Sequence, residues 1–329
     1  MTTTDDYNEK VLDHFFTPRN IGEIKNPDGK ATVGDPRCGD FIKVWINVNG
    51  HTISDFKYKV FGCGAAIATT SVVSELAIGK SIENALELTD DDVVEYLGGL
   101  PKGKQHCSLL GVRGLRRAIA DILAEENHER FEERMQKYKS GGYDIAASRD
   151  ELAARLEHLP MNARILEAGC GKGYLTIALG KTNRPCVSVD LSLEELNFAY
   201  LNAVYFEIDN VIDFQLQDAR NLGLQSDSFD VVVSAELIHH LDSIDPALEE
   251  MLRVCKPGGH IIIADLNAKG RRIINDVLAK EGREHSTEEL TMDYVFEWFV
   301  NRKYSTDLKE TDCETIITVN KTAELNYIT

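Results

Sequence analysis

Between residues 164 and 265 the chain alternates short strand-like runs with helix-like ones, and this alternation narrows its fold more than any other feature. Runs of that kind predict a mostly parallel sheet covered by helices, an α/β Rossmann-like arrangement. Arg164-Ile165-Leu166-Glu167 reads as the first strand and Val187-Ser188-Val189-Asp190 as the second. Residues 211–216, Phe229-Asp230-Val231-Val232-Val233-Ser234 and residues 260–265 follow as further strands. Helical periodicity covers residues 174–179 and 247–255, and Lys256-Pro257-Gly258-Gly259 reads as a helix stop and turn. Residues 304–312 and 313–320 complete the pattern as a closing strand pair, with 315–319 suited to an edge.

The link between the first strand and its helix is Ala168-Gly169-Cys170-Gly171-Lys172-Gly173. Glycines there let backbone approach a ligand, and an acid about 20 residues later binds ribose hydroxyls. That much means a nucleoside cofactor. The spacing is GxGxG with Glu167 two residues ahead, unlike the GxGxxG of dinucleotide sites. Together with Asp218-Ala219, the run from Ser234 through Ala235, Glu236, Leu237, Ile238, His239 and His240 to Leu241, and Arg253-Val254-Cys255-Lys256-Pro257-Gly258-Gly259, it resembles the class I S-adenosylmethionine-dependent methyltransferase family over roughly residues 145–320.

The resemblance implies that Gly169, Gly171 and Gly173 line the methionine and ribose of the cofactor. It implies that Glu167 orients the amino end, Asp190 takes the ribose hydroxyls and Asp218 meets the adenine amine, with Ala219 and Ser234 beside them. Carboxylates suit S-adenosylmethionine, which carries a sulfonium and an ammonium, and would repel the phosphates of a dinucleotide. Methyl transfer needs mainly placement of an acceptor, so a base is required only if that acceptor loses a proton. His239 and His240 follow the fourth strand and are the candidate bases, against a plain role as hydrogen-bonded loop residues. Cys170 reads as a small filler, and Cys186, Cys255 and Cys313 as buried thiols without ligand spacing. Tyr294, Phe296, Trp298 and Phe299 read as a helix packing an aromatic face on the sheet in preference to an acceptor cap.

The first third carries different chemistry. Cys38-Gly39-Asp40, Phe61-Gly62-Cys63-Gly64-Ala65-Ala66 and Lys104-Gln105-His106-Cys107-Ser108 present three thiols with a carboxylate and an imidazole. Thiolates hold iron-sulfur clusters or zinc, and a fourth, harder ligand loosens the hold. Such a donor set suits a place where a cluster is built and handed on.

With Tyr7, Lys10-Val11-Leu12-Asp13-His14-Phe15, Pro18-Arg19-Asn20 and Leu97-Gly98-Gly99-Leu100-Pro101, these segments resemble the IscU/NifU-type iron-sulfur assembly scaffold family over roughly residues 5–125. The resemblance implies an α+β scaffold fold. It also implies sulfur arriving as persulfide from a cysteine desulfurase, and transfer of the cluster to apo iron-sulfur acceptor proteins. Cys38, Cys63 and Cys107 would be cluster thiolates, Cys107 the first candidate to carry persulfide, and Asp40 and His106 exchangeable ligands. The cluster would be transient, [2Fe-2S] before [4Fe-4S], and zinc would fit the same donors after purification. Lys104 would favour nearby thiolate by opposite charge. Leu100-Pro101-Lys102-Gly103-Lys104 departs from the Leu-Pro-Pro-Val-Lys that relatives use for a dedicated chaperone, which leaves that partner open.

A length of 329 residues exceeds one ordinary core. Residues 1–139 carry 18 basic and 22 acidic side chains and the remainder 18 and 32, so most of the net charge of −18 lies in the second part. A helix-like segment from Leu115 runs through charged residues until Ser140-Gly141-Gly142 interrupts it, which predicts domains at 1–139 and 140–329. The polar, acidic opening lacks the marks of a signal peptide, and an odd number of cysteines, seven, fits reduced thiols in a cytoplasmic protein. No run of 18 apolar residues predicts a membrane span. The acidity argues against a nucleic-acid partner. The expectation is a scaffold fused to an active methyltransferase with an unspecified acceptor. The alternatives are a methyltransferase regulated by a metal- or cluster-sensing domain, or a cofactor-binding module that tunes the scaffold.

Overall fold

A computed structural model describes residues 7–35, 40–101, 108–283 and 292–321. The chain forms two compact units, residues 1–125 and 126–329.

The first unit opens with helix α1 (Glu9–Phe16), followed by strands β1 (Gly29–Asp35), β2 (Asp40–Asn49) and β3 (Thr52–Phe61). The three strands make an antiparallel sheet in the order β1-β2-β3. Ile42, Val44 and Ile46 alternate inward along β2 and are fully buried, the period of two that a half-covered strand requires. Helices α2 (Gly64–Ala77), α3 (Ile82–Leu86) and α4 (Asp90–Tyr96) follow. The sheet's inner face packs with Val72 and Val73 of α2 and with Leu115, Ala118 and Ile119 of α5 (Ser108–Gly141). Close approach of α5 depends on small residues. A Cβ on Gly114 would stand 2.8 Å from Val44, and one on Gly29 would stand 2.2 Å from the Ala118 carbonyl oxygen. This is the α+β unit that the sequence predicts.

In the second unit seven strands run β6-β5-β4-β7-β8-β10-β9. They are β4 (Ile165–Ala168), β5 (Cys186–Asp190), β6 (Ile212–Leu216), β7 (Phe229–Ala235), β8 (Cys255–Leu266), β9 (Ser305–Glu310) and β10 (Glu314–Asn320). The first five are parallel, and β10 is antiparallel to both β8 and β9. Val232 packs into a core with α9 (Asp245–Val254) and α11 (Met292–Asn301). Val231 and Val233 face the other side, with α6 (Ile145–Ala154) and α7 (Tyr174–Lys181). Both faces are therefore dry, which explains the unbroken apolar runs. Helices α8 (Leu193–Tyr205) and α10 (Ala268–Lys280) complete the cover. Strand order reverses beside β4, and open α/β sheets bind ligands beyond the carboxyl ends of strands at such a point.

Three expectations shift. The closing pair is present, but 315–319 is interior: Ile316, Ile317 and Val319 are buried between β8 and β9, while the polar β9 forms the edge. Lys256-Pro257-Gly258-Gly259 ends α9 yet belongs to β8, which bulges between its pairings with Phe229 and Val231, with Gly258 at φ +82°. Helix α5 does stop at Gly141, and Gly142 at φ +100° lets the Tyr143 N–H reach the Tyr138 carbonyl at 2.9 Å. The division between units nevertheless falls earlier, at 125/126. Within the second unit Phe131 stacks on Tyr174 at 4.9 Å, and Tyr138 joins a buried cluster with Ile273, Ile274 and Leu278. Tyr294, by contrast, is exposed and donates to Asp245 at 2.6 Å while Trp298 and Phe299 turn inward, so α11 packs an aromatic face as expected.

Candidate cofactor cavity and cluster segments

A cavity of about 520 Å³ opens in the second unit beside the carboxyl ends of β4, β5, β7 and β8. Glu167, Gly169, Gly171, Asp190, Asp218, Ala219, His239 and His240 all line it, so eight sequence-predicted residues converge there. Gly169 has φ +77°, and a Cβ on it would stand 2.8 Å from the Leu237 side chain; backbone strain and contact both demand glycine. Gly171, at φ +48°, has nothing within 4 Å of such a Cβ and donates its N–H to Asp190 Oδ2 at 2.8 Å. Asp190 Oδ1 accepts from the Ser192 N–H, also at 2.8 Å, which fixes the carboxylate with lone pairs left over for a diol.

Glu167 is only 1 % exposed. Its Oε2 accepts from Ser188 Oγ at 2.6 Å and Thr176 Oγ1 at 2.7 Å, while buried Oε1 has no hydrogen-bond partner among the described residues. Burial pushes this carboxyl up to about 7, against the pull of both hydroxyls. An orphaned buried carboxylate oxygen on a cavity wall is what an incoming ammonium would satisfy. The donor set thus fits S-adenosylmethionine.

Two predicted residues stand outside the cavity wall. Gly173, at φ +85°, caps α7 and would place a Cβ 3.0 Å from Ala199, so it serves packing against α8. Ser234 is buried and donates to the Ala168 carbonyl at 2.9 Å, tying β7 to β4. Asp218 lines the cavity, but its carboxylate is forked by Arg220, with Nη2 at 2.8 Å and Nε at 3.0 Å. The Arg220 hydrogen bond holds that carboxyl below the usual range, so an adenine amine would share the acceptor.

His239 and His240 form a short 3₁₀ turn after β7 (Ile238–His240), with rings 4.1 Å apart. They differ in setting: His240 is exposed, whereas His239 is buried. Its Nδ1 lies 2.5 Å from Asp265 Oδ1, and its backbone N–H donates to Asp265 Oδ2 at 3.1 Å. Asp265, which sequence reasoning passed over, sits near the end of the next strand, β8. Its only sequence signal is a carboxylate closing the apolar run Ile261-Ile262-Ile263-Ala264.

Arg149 was missed as well. This buried guanidinium on α6 meets Glu236 at 2.5 Å and Glu314 at 2.6 Å, and Tyr143 donates to Glu236 at 2.6 Å. Burial opposes its charge, but Tyr143, Glu314 and Glu236 outweigh that and keep Arg149 well above its ordinary value. The network holds Glu236 at φ +57°, on the cavity wall directly after β7. Nothing local in the sequence announces it. Cys170 also lines the cavity, with its thiol pushed up by burial, as suits a filler and not a nucleophile.

In the first unit, Cys63 is half-buried at the N-cap of α2, where unpaired backbone N–H groups favour an anionic ligand atom. Asp40, described by its backbone, begins β2; the next residue, Phe41, pairs with Phe61, two positions before Cys63. The backbones of Asp40 and Cys63 therefore adjoin the same end of the sheet. Gly111, just inside α5, would place a Cβ 3.1 Å from Val73 of α2, so the flank of the third segment packs on that helix. Cys38, Lys104, His106 and Cys107 lie outside the described residues. Among the described residues no group of three His, Cys, Asp or Glu could hold a metal ion.

Fold and sites together define a small α+β module bearing cysteine segments, joined to a Rossmann-like unit with a nucleoside-cofactor cavity. Comparison with known proteins agrees for each half. Residues 6–129 match the NifU-like N-terminal domain, and residues 166–263 match a methyltransferase domain. An iron-sulfur cluster assembly scaffold protein, IscU 1 of Archaeoglobus fulgidus, is 54% identical over 117 residues, covering 36% of this chain and 76% of that protein. The IscU of Aquifex aeolicus is 47% identical over 123 residues, 37% of this chain and 78% of its own length. A solved SAM-dependent methyltransferase from Aquifex aeolicus is similar at TM-score 0.42 and 17% identity, covering 52% of this chain and 88% of that one. The chain belongs to the IscU family of iron-sulfur scaffold proteins through its first unit, and residues 166–263 of its second unit match a methyltransferase domain.

Proposed function

We propose that the first unit accepts sulfur from a cysteine desulfurase, assembles a cluster and yields it to apo-proteins, while the second methylates a separate acceptor. Cys38, Cys63 and Cys107 hold the cluster as cargo, and Asp40 and His106 are the exchangeable ligands. The observation that carries the methyltransferase half is the orphaned Glu167 Oε1 in a cavity shared with Gly169, Gly171 and Asp190. Glu167 receives the ammonium, the Gly169–Gly171 loop admits the cofactor against backbone, and Asp190 accepts from the ribose hydroxyls. When bound, the cofactor supplies a methyl on sulfonium, whose C–S bond breaks with its electron pair left on sulfur. His239, oriented by Asp265, takes the proton that the acceptor atom loses as it gains the methyl.

This reading places both activities in the cytoplasm; no helix among the described residues is long and apolar enough to cross a membrane. Two assays test it. Labelled S-adenosylmethionine incubated with the chain and a cell lysate is expected to mark an acceptor in a Glu167- and His239-dependent manner; no label would defeat the methyltransferase half. The reconstituted cluster is expected to reach apo-ferredoxin faster than it decays to solvent. A cluster that never transfers would defeat the scaffold half.

A further inference from the structure

The cavity carries two opposed kinds of charge. Its glycine-loop side is acidic and is accounted for by a cationic cofactor. The part built from α10 and residues 126–141 of α5 is not. Arg134 and Arg283 line the cavity there. Both lie near one carboxylate, Glu281, at 3.7 and 3.6 Å, and exposed Lys137 approaches the same carboxylate at 2.8 Å. Among the described residues, three cations surround one anion in that cluster, an excess of two positive charges. Tyr174, also on the wall, has a buried hydroxyl with no partner among the described residues, and burial holds it as a neutral donor. Ile274 and Leu278 supply apolar lining beside these groups.

We propose that the methyl acceptor is a small molecule with an oxyanion head, carboxylate or phosphate, on an apolar stem. Arg134 and Arg283 hold the head, Tyr174 donates to it, and Ile274 and Leu278 flank the stem. This deepens the methyltransferase reading and rests on it. Guanidinium forks match the planar or tetrahedral oxygens of such heads, and inside a partly closed cavity that pairing is stronger than in water. A cavity of about 520 Å³ that also admits a nucleoside cofactor leaves room for a small acceptor only.

The test uses the full chain saturated with S-adenosylhomocysteine, titrated calorimetrically with hexanoate, hexyl phosphate and hexanamide. At least one oxyanion is expected to bind ten times more tightly than the amide, and which one does so identifies the head. In the Arg134→Gln/Arg283→Gln variant that preference is expected to vanish, with S-adenosylhomocysteine affinity unchanged within twofold. Glu281→Gln, which removes the shared carboxylate, is expected to strengthen the preference. Equal binding of all three probes overturns the proposal, as does a preference that survives in the double variant. A loss confined to S-adenosylhomocysteine also overturns it, because the arginines then serve the cofactor. If the unmodified chain binds no S-adenosylhomocysteine at all, the cofactor reading itself fails, a result distinct from cofactor binding without oxyanion preference.

Discussion

Titrating the chain with S-adenosylmethionine between pH 5.5 and 7.5 reads the charge on Glu167. The carboxyl is buried, its free oxygen faces no described partner, and its titration is raised from 4.5 to about 7. If only the carboxylate receives the ammonium, the competent fraction is about 3 % at pH 5.5 and about 75 % at pH 7.5, so affinity falls roughly 25-fold on acidification. At pH 7 binding should release about half a proton, seen as different calorimetric enthalpies in buffers of different ionisation heat. Glu167→Gln is expected to flatten this dependence and to weaken binding at pH 7.5 by about 1.5–3 kcal/mol, the worth of a hydrogen bond to a charged group. The variant also controls for titration of the cofactor's own amine. A flat profile in the unmodified chain, or an unchanged slope in the variant, would refute the assignment of Glu167.

The same shift has a consequence for stability. A carboxyl whose folded pKa is raised leaves stability intact below the unfolded value near 4.5 and loses it as pH climbs through about 7, by roughly 3 kcal/mol. Cofactor-free Glu167→Gln should therefore melt higher than the unmodified chain at pH 8 and equally at pH 4.5; a gain at low pH instead would contradict the burial argument. Arg149→Met would strand Glu314, which is fully buried, and Glu236 without their cation, at a cost of about 3–5 kcal/mol to the second unit's urea transition. A loss under about 1 kcal/mol would mean that water reaches the pair. Gly169→Ala meets Leu237 at a left-handed φ and should cost about 1–3 kcal/mol and weaken cofactor binding; calorimetry with normal affinity would rule out a tight loop. Asp265→Asn should slow lysate methylation while leaving cofactor affinity unchanged, and unaltered turnover would remove the His239–Asp265 pair from the reaction.

What the sequence determined alone is what short-range physics controls. Strand runs were legible because burial on both faces of a parallel sheet leaves them apolar without interruption. The loop from Glu167 to Gly171 was legible because backbone geometry of neighbouring residues restricts it to glycine. Other features needed the chain brought together from afar. His239 and Asp265 are 26 positions apart, and Arg149 meets Glu236 and Glu314 across 87 and 165. Residues 315–319 look like an edge strand by composition, but their place between β8 and β9 comes from pairing on both sides. Ser140-Gly141-Gly142 marks where a helix stops, whereas the unit division depends on which core receives Phe131 and Tyr138. A local pattern sets which conformation a segment adopts and which side is apolar. Only the packed tertiary structure decides which distant charge neutralises a buried one, because that partner is chosen by desolvation and distance and leaves no periodicity to read.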